Sequence, residues 1–469
     1  MKTASCILIA AILAAASLVG ERGSFFALSW AAASNYRCDN IIPFYWLKNN
    51  STPEQAKEFL DRYPAQNRAI FDSEYYRTIL VHPKDRLTTS TGSNARGIWC
   101  ENGISEAKER YKKFFAEYKR IGGALNYYIM DIEEGFTIWD LKRDEKTFEA
   151  IYGDPRFSAE GLNVMLPHYR TFIQSYDLAA HAAWNAAMWE RRTHILTKAI
   201  VEPVASVFSG VRMGNYNDFF LLTGMTGELE HLIHHTKGTL LGTHQSRECY
   251  GRLQYMKGRK IDGERPFPDS PFASFIFSVN QARAMRLSSD VPFMPWIAYR
   301  GFGKGWAKIC DTMIKDTDYY QESIFHNGLC RPELFLYWNP RLKSGSKPDE
   351  MADDDQDALV SAVLHELDEI AGDPGRVSLV KTLADWYGSF VLTGMNAFGR
   401  SVWRYTPDLT PGGDAMSTVT KNEPLTFMVH DVSIVIPGGK IFQPGKSTSK
   451  AGVWILAPTG TEPLVSKRR

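Results

Sequence analysis

The chain has 469 residues, a formal net charge of +1 and 13% aromatic residues, among them 12 Trp and 21 Tyr. That length holds a barrel-sized domain plus a smaller one. The charge is balanced and forms no long basic block, which excludes the electrostatic footprint of a nucleic-acid binder, and after the first 20 or so residues no run is long and apolar enough to span a bilayer.

The N-terminus reads as an export signal. Lys2 supplies the positive charge, Cys6–Val19 is an apolar run, and Glu21 and Arg22 follow it. Residues 1–27 are assigned to the leader, with cleavage between about Gly20 and Ala27. The mature protein is expected to be secreted, periplasmic or otherwise extracytoplasmic, without an integral membrane segment. Five cysteines remain, Cys38, Cys100, Cys249, Cys310 and Cys330. The odd number leaves at least one unpaired, and the spacing discloses no pairing. No CxxC pair occurs, which counts against a structural zinc site.

Buried strands are expected at Ile41–Leu47, Thr78–His82, Leu125–Ile132, Val211–Tyr216, Val291–Tyr299 and Glu333–Trp338, each a short apolar or aromatic run. Helices are expected between them. In Ile104–Ile121 the residues Ile104, Ala107, Tyr111, Phe114, Phe115, Tyr118 and Ile121 share a face, and Gly122–Gly123 ends the helix. Asp177–Phe208 is a second helical stretch, broken near Pro203. Asp357–Ile370 is a third, with Asp353–Asp355 leading into its positive end. Strand, helix, strand at this rhythm implies a parallel sheet. Over residues 35–375 a (β/α)8 TIM-like barrel is the favoured form, with a doubly wound sheet second. No GxGxxG loop or GxSxG elbow supports a dinucleotide or esterase fold. From about 376 to 469, strand-like runs separated by turns such as Pro411–Gly413 and Pro437–Gly439 read as a small C-terminal antiparallel β-sandwich module.

The richest stretch for chemistry is Ala124–Phe136, ALNYYIMDIEEGF. Its apolar residues run into Asp131, Glu133 and Glu134, and so much charge must emerge at a strand end. Alternation puts Asp131 and Glu133 on one face and Glu134 on the other. In a parallel barrel, catalytic groups sit at the C-terminal strand ends. Other strands end in Tyr45 and Trp46, in Tyr216, Asn217 and Asp218, in Trp296, Tyr299 and Arg300, and in Trp338 and Asn339. Aromatic and polar endings on several strands fit a cleft for a polar ligand. A second carboxylate from another strand is open among Asp218, Glu248, Glu322 and Glu333, with Asp218 preferred because it too ends a strand. His231, His234 and His235 share a helical face, but the metalloprotease order is absent and a solvated helix end is favoured. His244, Gln245, Arg247 and Glu248 read either as polar contacts of the cleft or as a surface turn.

Export signal, barrel, paired carboxylates, late-strand Trp and C-terminal β module together resemble a TIM-barrel glycoside hydrolase. Asp131-x-Glu133 after an apolar strand is similar to the D-x-E of chitinase-like and hyaluronidase-like barrels. That resemblance implies Glu133 as proton donor, Asp131 as its partner, Trp338 as aromatic floor and Tyr216 as an assisting hydroxyl. The longer D-x-x-D-x-D-x-E pattern is absent, since Tyr127 and Ile129 occupy its earlier positions. The expected activity is glycosidic hydrolysis of a poly- or oligosaccharide, with no cofactor or metal. Asp131, Glu133 and Asp218 carry the chemistry, and Tyr45, Trp46, Tyr216, Asn217, Trp296, Tyr299, Arg300, Trp338 and Asn339 contact the sugar. The rival readings are a non-catalytic carbohydrate-binding protein on a degenerate barrel and a metal-dependent hydrolase or lyase using the histidines.

Overall fold

The computed structural model describes residues 25–30, 38–76, 101–132, 193–216, 240–250, 291–298, 317–330, 332–339 and 353–371, with isolated pieces between them and strand segments after 377. Its main part is α/β with parallel sheets. In chain order the strands are β1 (Ala27–Ser29), β2 (Ile41–Pro43), β3 (Tyr45–Leu47), β4 (Ala69–Asp72), β5 (Tyr127–Met130), β6 (Arg212–Asn215), β7 (Trp296–Ile297) and β8 (Phe335–Tyr337). They form two four-stranded sheets, β7-β8-β1-β2 and β3-β4-β5-β6, and every pair is parallel. Only Phe44 separates β2 from β3, and its N–H donates to the Ser29 carbonyl at 3.0 Å. On the other flank, Gly214 pairs with His244, Gln245 with Phe293 and Glu248 with Trp296, all in parallel bridges.

The helices are α1 (Pro53–Leu60), α2 (Glu101–Arg120), α3 (Glu202–Val207), α4 (Thr317–Leu329) and α5 (Asp353–Ala371). α1 starts with a reciprocal cap: the Gln55 amide donates to Thr52 Oγ1 at 3.3 Å and the Thr52 amide to Gln55 Oε1 at 3.0 Å. α2 buries Ala107, Tyr111, Phe114, Phe115 and Tyr118. It ends at Gly122, whose φ of 87° is the left-handed conformation a helix stop uses. A π-helical turn, Thr197–Val201, precedes α3, and Pro203 falls in the first turn of α3. The chain is helical without a gap over 193–207, and the expected irregularity near Pro203 takes the form of that π turn rather than a full break, since a proline with no N–H cannot continue the regular bond ladder. Residues 177–192 of that stretch lie outside the described residues. Asp353–Asp355 form the first turn of α5 instead of preceding it.

Alternation splits the strand residues between two apolar clusters. On the helix side, Leu47, Ile70, Tyr128, Met130, Ile132 and Met213 pack with Leu60, Tyr111, Phe115, Ile200 and Val204. On the opposite, inner face, Leu28, Ile42, Phe44, Phe71, Ile129, Met294, Trp296 and Leu336 pack on one another. Strand residues buried on both faces are the mark of a parallel sheet covered by helices.

After α5, the strands β9 (Ser378–Ala384), β10 (Phe390–Met395), β11 (Ser401–Thr406), β12 (Trp454–Thr459) and β13 (Glu462–Lys467) make one antiparallel sheet in that order. Ile434–Val435 and Ile441–Phe442 form a separate antiparallel pair. Among the described residues none of these strands pairs with β1–β8.

The sequence and the structure part company at three strands. β1 lies upstream of residue 35 and overlaps the stretch assigned to the leader. β4 is Ala69–Asp72, which the hydrophobic reading passed over, whereas Thr78–His82 lies outside the described residues. The third is the 244–248 segment, whose residues His244, Gln245, Ser246 and Arg247 are all buried in line with the sheets. Its outward side chains, Gln245 and Arg247, are polar but hydrogen-bonded. Gln245 Nε2 donates to the Met285 and Val291 carbonyls at 3.2 and 3.1 Å, and Arg247 Nε donates to Gln281 Oε1 at 3.0 Å. A strand whose outer residues hydrogen-bond to the helix layer carries no hydrophobic signature.

Candidate functional site

Asp131 directly follows β5. Its neighbours Met130 and Ile132 both belong to the helix-side cluster, so Asp131 faces the inner side, where it is half-buried. The Asp131 amide donates to the Asp72 carbonyl at 2.9 Å, continuing the ladder between β4 and β5. One residue on, the Asn215 side chain holds the backbone of Ile132. Ile132 N–H donates to Asn215 Oδ1 at 3.0 Å, and Asn215 Nδ2 donates to the Ile132 and Tyr216 carbonyls at 3.3 and 3.0 Å. Asn215 is fully buried, so this amide fixes the strand end from which the acidic run departs.

Tyr216 follows β6, level with Asp131, its amide donating to the Met130 carbonyl at 2.8 Å. Its ring packs on the inner cluster and meets Trp296 edge-on at 5.5 Å between centroids. Its hydroxyl donates to Glu248 Oε1. Glu248 stands between Arg247, which reaches Gln281, and Cys249, which is buried with Ala282, Met285, Phe293 and Cys330. Those neighbours occupy the helix side, which leaves Glu248 on the inner face beside Tyr216. Burial pushes the Cys249 thiol well above its usual range, so that sulfur is inert packing rather than a nucleophile.

Two aromatic pairs flank these groups. Trp46 follows the inner alternation of β3, and its indole N–H donates to the Trp30 carbonyl at 2.7 Å while the two rings meet edge-on at 4.6 Å. Trp338, after β8, stacks on Tyr250 at 5.5 Å and 25°. Trp30, Trp46, Tyr216 and Trp338 are all only partly buried against the inner cluster. Trp30 and Tyr250 were not singled out from the sequence. Trp30 sits close behind the leader, and Tyr250 follows the polar 244–248 strand, so neither had an apolar run to flag it.

The other expected site residues lie elsewhere. Tyr45 has the opposite parity to Trp46 and packs on the helix side against Phe59 at 5.8 Å. Trp296 is 1% exposed and sits beneath Tyr216 in the inner core. Asn339 is 3% exposed, accepts from Ser29 Oγ at 2.8 Å and donates to Asp357 Oδ1 at 3.1 Å, tying β8 to β1 and α5. Glu333 pairs with Arg212 Nε at 3.0 Å, at the N-terminal ends of β8 and β6. Glu133, Glu134, Asn217, Asp218, Tyr299, Arg300 and the histidines 231, 234 and 235 lie outside the described residues.

One carboxylate that the sequence reading did not mark is buried on the helix side. Asp72, at the end of β4, is 0% exposed and accepts from the Tyr75 amide at 2.9 Å, the Tyr76 amide at 3.2 Å, the Tyr128 hydroxyl at 2.6 Å and the Tyr111 hydroxyl. It locks the turn after β4 to β5 and α2.

No family model matches the chain, and no curated protein matches it. Among solved structures the chain is similar to a glycoside hydrolase family 5 protein from Bacteroides vulgatus, with 11% identity, a TM-score of 0.28, and coverage of 63% of this chain and 72% of that one. A second structure, described as a glycoside hydrolase, has 11% identity, a TM-score of 0.27, and coverage of 64% and 76%. Scores this low leave a shared fold unestablished, and the site stands on its own geometry.

Proposed function

We propose that the protein is an exported glycoside hydrolase acting on a poly- or oligosaccharide. Its catalytic unit is a closed eight-stranded (β/α)8 barrel that begins with β1 and runs to about residue 375, and residues 376–469 form a β-sandwich module. The parallel pairs and the bridges of 244–248 support closure, since each strand of the ring then has two parallel neighbours. The single observation that carries the function is the inner row at the C-terminal strand ends. There Asp131, Tyr216 and Glu248 stand between the Trp30–Trp46 and Tyr250–Trp338 pairs. Aromatic faces suit the apolar faces of sugar rings, and carboxyl groups at strand ends suit proton transfer to a glycosidic oxygen. Glu133 is the proton donor in this reading and Asp131 its electrostatic partner. Asp218, Asn217, Tyr299 and Arg300 are further contacts proposed from the sequence alone.

The test is a panel of polysaccharides and aryl glycosides, with hydrolysis and binding measured on the same purified protein. Turnover of one class of glycoside is the expected result. Tight carbohydrate binding with no turnover of any member would replace the hydrolase with a non-catalytic binder. Activity that a chelator abolishes and a divalent metal restores would replace it with metal-dependent chemistry.

A further inference from the structure

We propose that Asp357 and Asn339 are positioning residues of the cleft. With Ser29 they set Trp30 and Trp338 as one aromatic wall. That the wall stacks a sugar ring rests on the hydrolase reading; that these three residues set the wall rests on the packing alone.

The chain of contacts starts on α5. At 100° per residue, Asp357, Ser361 and Asp368 fall within about 40° of one another around the helix, so they form one stripe. That stripe meets the strands at three levels. Phe25 N–H donates to Asp368 Oδ1 at 3.0 Å, Asn40 Nδ2 to the Ser361 carbonyl at 3.1 Å, and Asn339 Nδ2 to Asp357 Oδ1 at 3.1 Å. Phe25 and Asn40 precede β1 and β2, whereas Asn339 follows β8. α5 therefore runs antiparallel to the strands, and Asp357 stands at their C-terminal ends, the end that carries the cleft.

Alternation then carries the effect through the sheet. Leu28 and Leu336 face the inner cluster, which turns Ser29 and Asn339 toward the helices and returns Trp30 and Trp338 to the inner side. On the outside, Ser29 Oγ donates to Asn339 Oδ1 at 2.8 Å. On the inside, Trp30 N–H donates to the Tyr337 carbonyl at 2.8 Å, so the two tryptophans are level on neighbouring strands. The wall is continuous: Trp46 meets Trp30 edge-on, and Trp338 stacks on Tyr250. Ser29, Asn339 and Asp357 are all buried, and each tryptophan is one residue from the outer tie. The Asn339 amide serves both partners in one orientation only. A flipped amide would set its oxygen against the Asp357 carboxylate, which accepts and does not donate. Asp357 thus fixes Asn339, and Asn339 with Ser29 fixes the backbone from which both indoles project.

The experiment uses the full-length protein labelled with 5-fluorotryptophan. In fluorine NMR the Trp30 and Trp338 resonances are identified by their loss in Trp30→Phe and Trp338→Phe. Asn339→Ala is expected to shift or broaden both and to leave resonances from outside the wall in place. Asn339→Asp, which sets two carboxyl groups against each other, is expected to do the same. Asn339→Asp combined with Asp357→Asn exchanges donor and acceptor while Ser29 keeps its acceptor, and is expected to restore both resonances. A role in filling space alone would not respond to that exchange. With the glycoside that the parent hydrolyses, KM is expected to rise about 2- to 10-fold in Asn339→Ala, the equivalent of one net hydrogen bond, with kcat near the parent, and to recover in the exchanged pair. Unmoved Trp30 and Trp338 resonances in a folded Asn339→Ala, no recovery in the exchanged pair, or an unchanged KM would each overturn the assignment. A parent protein that cleaves no glycoside overturns the hydrolase reading, and the fluorine spectra then decide the positioning role by themselves. If Asn339→Ala fails to fold, Ser29→Ala removes one bond and little volume, and is expected to move the same two resonances; unmoved resonances there overturn the assignment too.

Discussion

At the scale of single residues, the face and depth of a side chain decide which expected site residues reach the inner row. Asp131, Trp46, Tyr216 and Trp338 could be named from the chain because each ends an apolar run, and all four stand on the inner face. Tyr45 is one residue from Trp46 and faces the helices, because parity decides the face and a run of consecutive aromatics hides parity. Asn339 and Trp296 fail for another reason: depth along a strand leaves no mark in sequence. For the proposed acid, Glu133→Gln is expected to reduce turnover on ordinary glycosides by on the order of 10²–10⁴-fold with ligand binding kept, while Glu134→Gln stays near the parent. The reverse pattern would put the wrong side chain in the cleft. Asn215→Ala would leave the Ile132 N–H and carbonyl without their partner, a loss of about 1–3 kcal/mol for a buried group, visible in thermal melts. Asp72 gives a pH test. Burial pushes its carboxyl above the ordinary range, and the bonds from Tyr111, Tyr128, Tyr76 and Tyr75 oppose this more weakly. The folded chain then holds a proton that the unfolded chain releases. That contribution to stability is full below an unfolded pKa of about 4 and is lost as pH rises through the folded value. The stability difference between the parent and Asp72→Asn should therefore shrink as pH is raised from about 4, followed by denaturant titration at each pH. A difference that grows with pH would mean the four donors win.

Elements were legible where their periodicity was long. α2 is plain in sequence because five apolar residues repeat at helical spacing before Gly122. β1 and β4 were missed because three or four residues cannot establish a period, and the 244–248 strand because its outer side chains are polar and paired. The start of that strand depends on Gly242. Its φ is 97°, and a Cβ there would lie 2.6 Å from the Met213 carbonyl oxygen. Gly242→Ala must strain the backbone and push against β6 at once. It should lower stability by more than Thr52→Ala, which removes only the cap of α1 at a cost of about 1 kcal/mol. Equal melting shifts for the two variants would show that the turn at Gly242 relaxes freely.

At the scale of the whole molecule, the chain order of strands and helices was readable, and the limits of the folded unit were less so. Phe25 N–H donates to Asp368 Oδ1 in α5 at 3.0 Å, and Ala27 and Leu28 are fully buried between β2 and β8. A leader cut after Ala27 would remove part of β1, so the mature N-terminus is expected at or before Phe25. N-terminal sequencing of exported protein decides this, and a start at Leu28 would contradict it. No window of residues near the N-terminus could disclose the limit, because the partners of β1 lie hundreds of residues downstream.

That distance also shapes how the protein is made. β1 precedes every other described strand in the chain, yet Ser29 meets Asn339 across 310 residues, and Phe25 meets Asp368 across 343. Through most of synthesis β1 has an open edge where β8 will later bind. Contacts this distant in sequence close late and slowly. A nascent chain therefore stays unfinished until α5 has been translated and needs protection from aggregation in the meantime. On the proposed export route that delay is useful: a chain that cannot complete its sheet early is still a thread when it reaches the pore.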